Sequence, residues 1–91
     1  MSGKNKDWSV EDDIYVIDQI MVKYRSQDYN LLLKNIAVDI GTTQSSVKMR
    51  IQNYLYILTG DGLANYAPAS KEAIELSLEK YSKSQLIIAF S

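Results

Sequence analysis

The sequence predicts an all-α protein, a single small helical domain of about four helices that contains a helix-turn-helix. Three observations predict it. Apolar residues recur at spacings of three and four along most of the chain. Good N-cap residues precede these stretches, and Gly41 and Gly60 follow two of them. The 91 residues hold only one Pro and four Gly, so few helix breakers interrupt the pattern.

The first helix is expected over about 10–25. Ser9 is a good N-cap, with Asp12 three residues on, where a capping box places its second acceptor. Glu11, Asp12 and Asp13 crowd the first turn, where the helix dipole favours negative charge. Val10, Ile14, Ile17, Met21 and Tyr24 form one apolar face, and Trp8 lies where a hydrophobic staple would. Glu11, Asp12, Asp13 and Asp18 are also candidate Mg²⁺ ligands. Dipole compensation is the simpler account of the first three.

The second helix is expected over about 30–40, capped by Asp28 or Asn30. Its inner face is Leu32, Leu33, Ile36, Ala37 and Ile40, and Gly41 suits its end. Thr42 or Thr43 caps a third helix over about 43–58, with Val47, Ile51, Tyr54, Leu55 and Leu58 inward. A loop follows from Thr59 to Ala69. In it, Gly62-Leu63-Ala64-Asn65 suits either a turn plugged by Leu63 or backbone contact with phosphate. Ser70 is expected to cap a fourth helix over about 70–82, with Ile74, Leu78 and Tyr81 on one side. Leu86-Ile87-Ile88-Ala89-Phe90 is apolar throughout and has no clear period. It suits an extension of the helix, a short strand, a tail that completes the core, or a patch paired across a two-fold axis. The pairing makes a homodimer the expectation.

Composition narrows the function. Without Cys or His, disulfides, thiol chemistry, zinc sites and His-dependent catalysis are excluded. No enzyme activity, metal or cofactor is expected. No apolar run approaches the ~20 residues of a membrane span. The polar N-terminus does not read as a signal peptide, so a cytoplasmic protein is expected. The net charge is −1, and it is unevenly spread. Residues 31–58 carry Lys34, Lys48 and Arg50 against Asp39 alone, the one net-positive part of the chain.

The helix-turn-helix falls within about 30–58. Ala37 is the small residue that admits the next helix, Gly41 opens the turn, and Val47 locks the third helix down. A tight hairpin in an ordinary bundle would use the same residues. The outward face of the third helix favours nucleic acid. Thr43, Gln44, Ser45, Lys48, Met49, Gln52 and Asn53 include no acid. Gln44, Ser45, Lys48 and Gln52 suit base edges in double-stranded DNA, with Met49 among them, and Thr43 and Arg50 suit phosphates. Arg50 has a second reading, an ion pair with an acid of the first helix. Tyr29, Tyr56 and Tyr66 are the tyrosines free to anchor a surface.

The order of these residues resembles a known family. It runs Trp8-Ser9-x-Glu11-Asp12, Ile36-Ala37-x-x-Ile40-Gly41-Thr42-Thr43, Ser46-Val47-x-Met49-Arg50-Ile51-x-Asn53-Tyr54 and Gly62-Leu63-x-Asn65. It is similar to the small helical domain at the N-terminus of many HNH-type restriction endonucleases, and in stand-alone bacterial and phage proteins. Its first part resembles Myb/SANT-like domains. The resemblance covers about 8–72 and implies a DNA-recognition module, such as a small bacterial or phage regulator. The sequence holds no His for a nuclease, so cleavage is not carried over. A rival expectation is a protein-binding inhibitor from a phage or mobile element, of the anti-CRISPR or anti-restriction type. The acidic first helix favours that alternative.

Overall fold

The computed structural model describes residues 7–60 and 67–91. Among them are five helices and no strand: α1 (Val10–Lys23), α2 (Tyr29–Ile40), α3 (Gln44–Thr59), α4 (Pro68–Ser77) and α5 (Lys83–Phe90). The reading of Gly62-Leu63-Ala64-Asn65, and that of Tyr66, lie outside the described residues. None of these helices is long and apolar enough to cross a membrane.

Local chemistry sets most helix ends as expected. The Ser9 hydroxyl accepts from the Asp12 amide, and the Asp12 carboxylate accepts from the Ser9 amide, both at 3.1 Å. Asp28, not Asn30, caps α2, accepting from the Leu31 amide. Thr43, not Thr42, caps α3, accepting from the Ser46 amide. Gly41 closes α2 with φ +74°, and the Gly41 and Thr42 amides reach the Val38 and Ala37 carbonyls. That double bond is a Schellman motif, and its left-handed residue is the reason for glycine. Gly60 ends α3 in the same conformation, with φ +75°.

The buried face of α1 is Asp13, Val16, Ile17 and Ile20. The expected stripe is therefore rotated: Val10, Ile14, Met21 and Tyr24 are half-buried at its flanks. The staple is replaced as well. The position four residues into the helix is Asp13, which cannot pack an apolar ring, and Trp8 lies instead against Arg50.

The fourth helix begins earlier than expected. Ala67 is its N-cap, without a side-chain bond, and Pro68 occupies the first turn. Proline suits that place because its missing N–H would have no partner there. Ser70 is inside the helix and fully buried. The inner face is Ser70, Ala73, Ile74 and Ser77, and its three small residues, Ser70, Ala73 and Ser77, let α4 pack close to α1. Leu78 is exposed, and Tyr81, beyond the helix, donates to Asp18 at 3.0 Å.

The apolar tail is a fifth helix. Ser82 and Gln85 form its capping box. Leu86, Ala89 and Phe90 are buried, with the Phe90 ring 5.4 Å from that of Tyr54. The tail thus completes the core of its own chain. The patch that suggested a homodimer is reduced to Ile88, 60% exposed. The core gathers α1, α2 and α4 with Val47, Ile51, Tyr54 and Leu58 of α3 and the three α5 residues.

Candidate nucleic-acid interface

Two attachments hold α3 in place besides its apolar stripe. At its N-terminal end, the Gln44 side-chain Nε2 donates to the Asn30 backbone carbonyl at the start of α2 (3.3 Å). Six residues on, Arg50 crosses to α1. Its Nε and Nη2 donate to the two Asp13 oxygens at 3.0 and 2.5 Å. The guanidinium also lies 4.6 Å from the centre of the Trp8 ring, a cation–π distance. The Tyr54 hydroxyl donates to Asp13 as well.

Asp13 is fully buried, so it accepts three bonds that together replace its water. Such a charge is tolerated inside a protein only when paired and hydrogen-bonded in this way. Burial pushes the Tyr54 hydroxyl well above its ordinary pKa, and the Asp13 charge beside it adds to the rise.

The expected site residues separate into two groups. Ser45, Lys48, Met49 and Gln52 share the exposed face of α3, and Met49 is 68% exposed. This face carries one cation and no acid. Lys48 forms no ion pair among the described residues. The other three are engaged in the fold. The Thr43 hydroxyl caps the helix and donates to Ser46 at 3.1 Å. Gln44 is half-buried and joined to α2. Arg50, expected among the DNA-contacting residues with an ion pair as its second reading, makes the ion pair. Its side chain is only 12% exposed.

Of the four acids considered as Mg²⁺ ligands, three have structural tasks, and Glu11 is exposed in the first turn of α1. Asp12 belongs to the capping box and Asp13 to Arg50. Asp18 accepts from Lys80 at 3.1 Å and from Tyr81. That contact raises the Lys80 pKa through its hydrogen bond to Asp18. The sequence reading missed that Asp13, Trp8 and Tyr54 jointly hold Arg50. The available signal was Asp13 three and four residues before Val16 and Ile17, on the face that α1 buries. It also missed the bond between the Tyr15 hydroxyl and Asp39 (2.7 Å), which ties α1 to α2.

Comparison of the chain with family models, with curated proteins and with solved structures finds no match.

Proposed function

We propose that this protein binds double-stranded DNA, with the exposed face of α3 in the major groove, as a small helix-turn-helix regulator of bacterial or phage type. The observation that carries this reading is the face itself: Ser45, Lys48, Met49 and Gln52, without a carboxylate, on a helix anchored by Arg50 and Gln44. Gln52 and Ser45 suit base edges, Lys48 suits a base or a phosphate, and Met49 suits a thymine methyl. Arg50 positions the helix and touches no nucleic acid in this account. The resemblance to the N-terminal domains of HNH-type endonucleases and to Myb/SANT-like domains supports the same reading. No catalytic step and no cofactor is proposed.

One cation on the face implies modest affinity for a single chain. Each neutralised phosphate contributes about −0.9 to the slope of log affinity against log salt. Titration of a labelled duplex at low salt, repeated over a range of salt, tests the reading. Saturable binding with a shallow negative slope supports it, and no binding at low salt overturns it.

Exposed apolar side chains favour a second reading, a protein-binding inhibitor from a phage or mobile element. Met49 is joined in exposure by Leu31 and by Val38 at 73%. Protein surfaces that bind partners are enriched in methionine and depleted in charge at their centres. Binding to a protein would lose little affinity with salt, and Met49→Glu would abolish it.

A further inference from the structure

Met49 is 68% exposed, and among the described residues it is the one large apolar side chain of α3 that is exposed. On a helix surface, the neighbours of a residue are those three and four positions away. For Met49 these are Ser45, Ser46, Gln52 and Asn53. All four are polar and uncharged, so the thioether is a single apolar point in a ring of hydroxyls and amides. Ser45 and Gln52 are exposed beside it, while Ser46 and Asn53 are half-buried. The Ser46 hydroxyl already accepts from that of Thr43 at 3.1 Å. A protein-binding hot spot on α3 would extend the apolar surface to these neighbours, because binding energy concentrates in packed, desolvated clusters.

The major-groove edge of DNA has the matching pattern. It offers donors and acceptors together with one kind of apolar group, the methyl on C5 of a pyrimidine. A serine hydroxyl and a glutamine amide each donate and accept. Ser45 and Gln52 therefore do not distinguish the thymine O4 acceptor from the cytosine N4 donor, and the methyl is the feature left for this part of the face to select. Methionine suits that contact, since its unbranched thioether with three rotatable bonds adjusts to a small apolar group. We propose that Met49 makes the α3 face a reader of the pyrimidine 5-methyl group. At the contacted position, thymine is preferred to uracil and 5-methylcytosine to cytosine, so cytosine methylation there strengthens binding. The proposal rests on the DNA reading and adds to it the base chemistry that the face selects.

The test uses the full chain. Its preferred duplex is selected at low salt from a pool of random sequence, and affinities are read by fluorescence anisotropy. Each pyrimidine of that duplex is then varied in turn, thymine against uracil opposite adenine, and 5-methylcytosine against cytosine opposite guanine. Removing the methyl at one position should weaken binding about fourfold, which is about 0.8 kcal/mol, the worth of one buried CH₂-sized group. Met49→Ser, on an exposed side chain, should keep the parent's helical signal and bind the duplexes with and without the methyl equally. A loss in both pairs, or in one of them, supports the proposal and names the pyrimidine that is read. If no methyl removal weakens binding, or if the loss persists in Met49→Ser, this proposal is overturned and the DNA reading stands. No binding to any duplex overturns both.

Discussion

Arg50 of α3 and Asp13 of α1 meet in a two-point ion pair, 37 residues apart in sequence, with Asp13 fully buried. The pair fixes the rotation of α3 about its axis, because a fork of two N–H groups matches two carboxylate oxygens in one orientation. That rotation decides which side chains of α3 face outward.

Removing one partner leaves the other charge, or its donors, uncompensated. Asp13→Asn and Arg50→Met are each expected to lower stability by about 3–5 kcal/mol. Replacing both together, as Asp13→Asn with Arg50→Met, should cost less than the two single changes combined. Urea unfolding of the three variants checks this. Strict additivity would show that the two side chains do not act as a pair.

Alkali should destabilise the protein through its tyrosines. Burial raises the pKa of Tyr54, and also of Tyr29 and Tyr81, while for Tyr15 the leading cause is its bond to Asp39. Above about pH 10 the unfolded chain loses these protons while the folded chain keeps them. The unfolded state then binds fewer protons, so stability falls as pH rises. Tyr54 alone contributes a loss of about 1.4 kcal/mol per pH unit in that range. Its contribution is fully present below pH 10 and is lost as pH rises through the folded pKa. Unfolding free energies from pH 9 to 12 should fall less steeply in Tyr54→Phe than in the parent. Equal slopes would contradict the assignment.

Much of this fold was legible because its signals are local. Ser9 with Asp12, Asp28, Thr43, Gly41 and Gly60 each act within four residues of themselves. The face of α1 was less legible. Val10, Ile14, Val16, Ile17, Ile20, Met21 and Val22 surround much of the helix, so spacing alone does not fix its rotation. The burial of Asp13 decides it, and that depends on Arg50 far along the chain. Two signals were present in the sequence and outweighed by others. Pro68 marked the start of α4, but Ser70 has the better cap chemistry. Ser82-x-x-Gln85 spelled a capping box ahead of a tail read only for its hydrophobicity. On the exposed face, Ser45, Lys48, Met49 and Gln52 were found by subtracting the inner stripe. Of the two readings of Arg50, the ion pair with an acid of the first helix is the one the structure shows; helical spacing alone left both open because it does not say which flanking residue crosses to another helix.

Gly41 serves its backbone conformation and not a close approach. A Cβ there meets no atom within 4 Å, yet φ is +74°. Gly41→Ala should therefore cost about 1–2 kcal/mol, the penalty of a left-handed residue. Gly41→Asn should cost less, since asparagine tolerates that region. Thermal denaturation ranks the three, and an alanine variant as stable as the parent would refute the turn's requirement.

The tail belongs to the core of one chain. Phe90→Ala removes a buried ring that packs on Tyr54, at an expected cost of about 3–5 kcal/mol. Ile88→Ser, at the exposed position, should leave stability within about 0.5 kcal/mol. Light scattering should give the same mass for the parent and Ile88→Ser. A halved mass in Ile88→Ser would make Ile88 a dimer contact.

Fluorescence anisotropy of a labelled duplex pool, read at low salt with the parent and with Lys48→Glu and Gln52→Ala, tests the central claim most directly. Both substitutions lie on exposed side chains and should leave the helical signal unchanged. Lys48→Glu should abolish binding, because it removes the one cation of the face and adds a charge that phosphates repel. Gln52→Ala should lose about 1–3 kcal/mol on the preferred sequence and little on random duplex. Binding by both folded variants with the parent's affinity would contradict the assignment of the α3 face to DNA.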